Sequence, residues 1–188
     1  GAPIAGANSI AYSNGLLAVA LESETVTDPG LVALVNLNDV DSIDDINSAL
    51  QVFSVGPLPD MITFTPDGSK VLVANEGEPD EGVDPDGSIS IIDVSGEYAS
   101  LSQENVKTAD FLEFNGQEDA LRADGVRIFP DAQTAQDVEP EYIAVSPDGT
   151  QAFVTLQEAN AIAIVDIATA TVTEIKPLGL KDFSTKGN

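Results

Sequence analysis

One phrase occurs three times along this chain, and no other feature restricts the fold as tightly. Asn8-Ser-Ile-Ala-Tyr-Ser-Asn-Gly15 runs into Leu-Leu-Ala-Val-Ala-Leu21. Asp60-Met-Ile-Thr-Phe-Thr-Pro-Asp-Gly68 runs into Ser-Lys-Val-Leu-Val-Ala-Asn75, and Glu141-Tyr-Ile-Ala-Val-Ser-Pro-Asp-Gly149 into Thr-Gln-Ala-Phe-Val-Thr-Leu156. Each copy is a short apolar strand, an Asn-Gly or Pro-Asp-Gly turn, and a second apolar strand. The turn glycines supply the positive φ that tight hairpins need. A third strand follows at Leu31–Asn36, Ser88–Val94 and Ala161–Ile167, and a fourth, edge-like one at Gln51–Val55, Val106–Phe114 and Thr171–Lys176.

Four antiparallel strands per unit, rich in β-branched residues, describe the blade of a β-propeller. A solenoid or a sandwich is the alternative architecture. The chain reads as all-β, with about three four-stranded blades. Unit one spans 1–56, unit two 57–114, an inter-blade insertion 115–138, and unit three with a polar tail 139–188. Helix is scarce. Ile43, Ile46 and Leu50 share a helical face behind an acidic start, which predicts a short helix over Asp41–Leu50. A second is expected over Gln117–Ala123, ended by Gly125.

Propellers typically close with about four to eight blades. Three are too few, and an uncovered blade face is apolar. The expectation is therefore part of a larger, for instance seven-bladed, propeller. Its remaining blades would lie on a longer parent chain or on a second chain, with self-packing of three-blade copies as the other option. The polar run Ser184–Asn188 reads as a loop.

Charge narrows the partners. Against 32 Asp and Glu stand 7 Lys and Arg, a formal charge of −25, with no His and no Cys. Nucleic acid and anionic membrane surfaces both require basic side chains, so neither is an expected partner. No run is apolar enough to cross a membrane as a helix, so no insertion by this segment is expected. Without Cys or His there is no ordinary zinc site, disulfide or Ser-His-Asp triad. Any bound metal is expected to be a hard cation with oxygen ligands.

Propeller geometry says where such ligands gather. The start of each inner strand and the end of its antiparallel neighbour lie at one face of the disc. Aligned repeats bring Asn8, Asp60 and Glu141 to the mouth of the central channel. Second-strand ends add Glu22 and Glu76, then Asn75, Gln157 and Glu158. The loops Glu22–Gly30 and Glu76–Gly87, which contains Glu78, are acidic, and Asp137 and Glu139 lead into the third unit. Crowded carboxylates repel one another, and calcium relieves that repulsion with roughly six to eight oxygen ligands. Glu22, Asp60, Glu76, Glu78, Asp137, Glu139 and Glu141 are accordingly the candidate calcium ligands. A solvated acidic surface with no fixed ion is the competing reading. Asp84-Pro-Asp86-Gly87 lacks EF-hand spacing, and the Asp-Gly pairs at 67–68 and 148–149 read as turn chemistry at the opposite face.

The only arginines, Arg122 and Arg127, fall in the insertion. Beside bound calcium they are candidate phosphate-binding residues, a pairing suited to hydrolysis of a phosphate ester by metal-bound water. Alternatively they pair with Asp119 or Asp124 and pin the loop.

Taken together, Pro59–Gly68, Val73-Ala-Asn-Glu-Gly-Glu-Pro79, Gly87-Ser-Ile-Ser-Ile-Ile-Asp93, Leu121-Arg-Ala-Asp-Gly-Val-Arg-Ile-Phe129, Glu139–Ser146 and Val165-Asp-Ile-Ala-Thr-Ala-Thr-Val172 resemble the bacterial choice-of-anchor I proteins. These are exported propeller proteins related to mesenchyme-specific cell-surface glycoprotein-like and surface-layer proteins. The resemblance covers nearly the whole chain. It implies an extracellular, cell-surface or periplasmic location and a parent with further blades. Some relatives are labelled alkaline phosphatase or compared with phytase-like propellers, so it implies little about activity. Two functions follow as expectations: a non-catalytic scaffold or ligand-binding module with an acidic, calcium-holding face, or a calcium-dependent phosphoesterase. So few basic residues around so acidic a face favour the scaffold.

Overall fold

Alternating aliphatic residues and tight turns fold the chain into three successive antiparallel sheets. The computed structural model describes residues 3–180 and Ser184; the rest of the polar stretch expected at the end lies outside the described residues. Blade 1 comprises β1 (Ile4–Ser13), β2 (Leu16–Ser23), β3 (Pro29–Asn36) and β4 (Leu50–Pro57). Blade 2 comprises β5 (Pro59–Phe64), β6 (Lys70–Asn75), β7 (Ser88–Asp93) and β8 (Val106–Asp110). The short helices α1 (Glu118–Asp124) and α2 (Thr134–Asp137) follow. Blade 3 comprises β9 (Pro140–Val145), β10 (Gln151–Leu156), β11 (Ala161–Asp166) and β12 (Thr171–Pro177). Within every sheet the strands lie side by side in chain order.

The register is the same from blade to blade. Leu17, Val71 and Ala152 lie opposite Val35, Ile92 and Val165 on the third strand of their blades. Side chains alternate between faces, so the middle sheet turns one face toward blade 1 and the other toward blade 3. Ala18, Ala20, Val32, Leu34 and Phe53 of blade 1 pack on Ile62, Val71, Val73 and Ile92 of blade 2. Leu72, Ala74, Ile89 and Ile91 on the other side of blade 2 pack on Ala152, Val154, Leu156, Ala161, Ala163 and Val165 of blade 3. Each larger aliphatic side chain fully buried in such a seam stabilises by roughly 1.5–3 kcal/mol.

Polar clamps align the seams. Ser54 N donates to Gln103 Oε1 at 2.9 Å, and Gln103 Nε2 donates to the Ser54 carbonyl at 2.9 Å, joining the segment before β8 to the outer strand of blade 1. The Tyr98 hydroxyl lies 2.7 and 2.6 Å from the carbonyl oxygens of Leu34 and Ala49.

Three expected elements differ from the sequence reading or sharpen it. The helix expected at Asp41–Leu50 is a 3-10 segment, Ile43–Ser48, and Leu50 already belongs to β4; Asp, Asn and Ser compete with helical backbone bonding there. The side chain of Ile43 lies outside the described residues. The strand expected to reach Phe114 stops at Asp110, whose Oδ1 accepts from Leu112 N at 3.1 Å and turns the chain into a 3-10 segment. The second helix is α1, and Gly125 ends it in the left-handed region at φ 105°, donating its N–H to the Leu121 and Arg122 carbonyls. Leu121, Val126, Ile128, Ala135 and Val138 seat the insertion in the core between blades 2 and 3.

Candidate functional site

The rim follows from how each inner strand begins. Leu58 and Glu139 hold positive φ, 48° and 39°, just before Pro59 and Pro140. Left-handed backbone at a non-glycine residue costs about 1–3 kcal/mol and persists only where its surroundings fix it. Here Glu76 N donates to the Leu58 carbonyl at 3.0 Å and Gly77 N to the Pro57 carbonyl at 3.2 Å, tying the end of β6 to the start of β5. The bends direct the chain into Asp60 and Glu141.

A glycine on one blade admits each proline of the next. A Cβ at Gly30 would fall 2.4 Å from Pro59 Cδ, and one at Gly87 would fall 2.5 Å from Pro140 Cδ. The sequence reading missed this contact. Its signal was present: Gly30 and Gly87 share one repeat position, immediately before the paired residues Leu31 and Ser88, and Pro59 and Pro140 share another.

Between blades 2 and 3 the carboxylates then meet. Burial first, then the charges of Asp60, Glu141, Glu78 and Glu139, raise the pKa of the half-buried Glu76 to about 7. Burial raises Glu139 to about 6, helped by Glu158, Glu78, Asp137 and Asp84. Glu141 is pushed to about 7 by burial, by a side-chain hydrogen bond with Glu158, and by the charges of Glu158, Asp60 and Glu139. Asp60 is also raised by burial. Glu158 keeps its Oε2 buried with no hydrogen-bond partner. The pairing of Glu141 with Glu158, one from β9 and one from the β10–β11 turn, was not foreseen in the sequence.

Glu22 sits apart, on the blade 1 side. Asn8 Nδ2 donates to Glu22 Oε2 at 3.0 Å and to the Pro59 carbonyl at 3.2 Å. Asp137 accepts from Phe129 N at 2.9 Å. Its pKa is raised by burial against the lowering pull of that bond and of Arg127 and Arg122. Among the described residues, no three carboxylates converge closely enough to make a ready-made metal cage.

Both arginines hold the insertion. Arg122 pairs with Asp119 at 2.8 Å and donates to the carbonyls of Ile128 and Phe129 at 3.3 and 3.2 Å. Arg127 donates through Nε to the Glu158 carbonyl and lies over the Phe129 ring, 5.2 Å from its centroid. The two line an open cleft of about 630 Å³ with Val126, Ile128, Asn160 and Leu180.

The turn aspartates behave as turn chemistry. Hydrogen bonds from the Thr65 and Ser146 hydroxyls, supplemented by those of Ser69 and Thr150, hold Asp67 and Asp148 at about 2.

Solved structures share this architecture. Hydrazine synthase of Kuenenia stuttgartiensis is 18% identical over 90% of this chain and 36% of its own length, with a TM-score of 0.52. The β-propeller domain of the Trilobed protease from Pyrococcus furiosus, described as having an open velcro topology, is 13% identical over 92% of this chain and 42% of its own, with a TM-score of 0.51. A eukaryotic initiation factor matches at 13% identity over 93% of this chain and 32% of its own, with a TM-score of 0.50. These likenesses identify the fold as a β-propeller, of which the chain spans less than half the length of each neighbour. No curated protein sequence matches it. The choice-of-anchor I domain profile matches residues 2–187.

Proposed function

The chain belongs to the choice-of-anchor I family, and from that premise we propose that it works as a non-catalytic module of an exported, larger propeller, with an acidic rim that takes up calcium. Family membership supports export, and no helix among the described residues is long and apolar enough to cross a membrane. The observation that carries the rim reading is the raised proton affinity of Glu76, Glu139 and Glu141 together. Burial is the main cause of those raised values and like charge adds to it; a divalent cation would offset both by pairing with the ionised carboxylates. Calcium would draw the side chains together, since the cage is not formed in advance.

The arginine contacts favour a scaffold over a phosphoesterase, because Arg122 is engaged by Asp119 and two carbonyls. Calorimetric titration with calcium is expected to show saturable binding, lost in the Glu76→Gln, Glu141→Gln double variant. Absence of saturable binding would remove the rim from the proposal. Calcium-dependent turnover of p-nitrophenyl phosphate, abolished by Arg122→Ala, would overturn the non-catalytic reading.

A further inference from the structure

Blades 2 and 3 each receive the preceding blade on an equivalent sheet face, and the two faces differ in one corner. In blade 2, Val71 lies opposite Ile92, Val73 opposite Ser90 and Asn75 opposite Ser88. In blade 3, Ala152 lies opposite Val165, Val154 opposite Ala163 and Leu156 opposite Ala161. All twelve residues are buried. Away from the rim both faces are aliphatic. Toward the rim, blade 3 keeps Leu156, Ala161 and Ala163, where blade 2 has Asn75, Ser88 and Ser90.

The three polar side chains bond to one another. Asn75 Nδ2 donates toward Ser88 Oγ at 3.2 Å, Ser90 Oγ at 3.0 Å and the Ser88 carbonyl at 3.3 Å. Strength does not explain the set. Asn75 Oδ1 is buried with no hydrogen-bond partner among the described residues, a cost that the aliphatic trio of blade 3 does not carry.

Blade 1 is shaped to this corner. A Cβ on Gly56 would fall 2.7 Å from Ser88 Oγ and 2.8 Å from Asn75 Cβ, so a residue with a side chain could not come as close. Ser54 and Asp110 hold equivalent places, opposite Leu31 and Ser88 on the third strands. Two residues further on, blade 1 has Gly56 and blade 2 has Leu112. The edge that blade 2 offers to blade 3 therefore does not fit the corner that blade 2 presents to blade 1.

We propose that Asn75, Ser88 and Ser90, matched by Gly56, form a recognition corner that selects blade 1 as the neighbour of blade 2 and so fixes blade order, with no gain in the strength of the seam. Repeated blades need such a mark. Their aliphatic faces are interchangeable, so during folding blade 1 can dock on either receiving face, and in crowded solution on that of another chain. Polar groups inside an apolar contact choose partners by penalising the neighbour that does not match them. The inference is independent of the rim and of calcium.

The chain has no cysteine, so a docking reporter can be written into it. Ser54 and Gln103 bond across the seam between blades 1 and 2 at 2.9 Å. Ser54→Cys and Gln103→Cys, joined after refolding by a short bifunctional maleimide, report whether the two blades have docked within one chain. On that background, Asn75→Leu, Ser88→Ala and Ser90→Ala write the residues of blade 3 into blade 2. The expected result is a denaturant midpoint unchanged or raised. Internal cross-linking is expected to be lost to cross-linked dimers as the chain concentration during refolding is raised, while the native corner keeps it internal throughout. Internal cross-linking as complete as with the native corner at every concentration would overturn the proposal. So would a lowered midpoint both in the triple variant and in Asn75→Leu alone, which is close to asparagine in shape, because the corner would then serve strength.

Discussion

Glu76, Glu139 and Glu141 keep their protons up to a pH far above the ordinary glutamate value of 4.5, because burial and like charge both penalise the ionised form. The sign follows from linkage: a carboxyl with a raised folded-state pKa favours the fold below its ordinary value and loses that contribution as pH rises through the folded value. Asp67, Asp93 and Asp148, held at about 2, act oppositely and withdraw support only below their ordinary 3.8. Thermal melts should therefore show higher stability near about pH 5 than near about pH 8. Glu76→Gln should flatten that slope, and calcium should restore stability at the alkaline end. A melting curve unchanged between the two conditions would count against the cluster. At Gly30 the relevant quantity is space: Gly30→Ala drives a methyl into Pro59 and should cost about 1–3 kcal/mol in denaturant unfolding. The nearness of Asp60, Glu76, Glu78, Glu139 and Glu141 was legible in the sequence because strand ends on one side of a blade share a rim, whereas Glu22 stands apart with Asn8. The Glu141–Glu158 pair was not, since a hydrogen bond between a strand and a turn has no spacing signature.

At the scale of elements, the strands follow from alternation and turn chemistry, and their register was readable from Asn14-Gly15, Asp67-Gly68 and Asp148-Gly149. Elements outside the repeat were harder. The segment after Asp110 carries strand-like residues, yet its carboxyl caps Leu112 and redirects the chain. Asp41–Leu50 carries a helical pattern too short and too polar to override turn preference. The insertion holds its shape by contact, since α1 is only 7 residues long. Leu121→Ala should cost about 2–4 kcal/mol and speed amide exchange through 118–137 ahead of the sheets, measured by hydrogen exchange. Tyr98→Phe removes the hydroxyl shared by Leu34 and Ala49 and should cost about 1 kcal/mol, read as a lower denaturant midpoint with unchanged slope.

For the whole molecule, the charge of −25 and the apolar seams between blades act at different ranges. Repulsion among the surface carboxylates is screened beyond about 8 Å at physiological ionic strength, whereas the seams act only on contact. Added salt should therefore raise the thermal midpoint by screening that repulsion while leaving the seams unchanged. Blade number was the part of the architecture least legible from the repeat, because a repeat describes a unit and its neighbours but not where the series closes. The sheets also differ from a design in which one strand completes a distant sheet: each blade uses four strands consecutive in the chain. The consequence is genetic. A single uninterrupted stretch of coding sequence specifies a whole blade, so an in-frame duplication or deletion adds or removes one without rewiring the others. Descendants of such an ancestor can vary ring size while every surviving seam keeps its geometry.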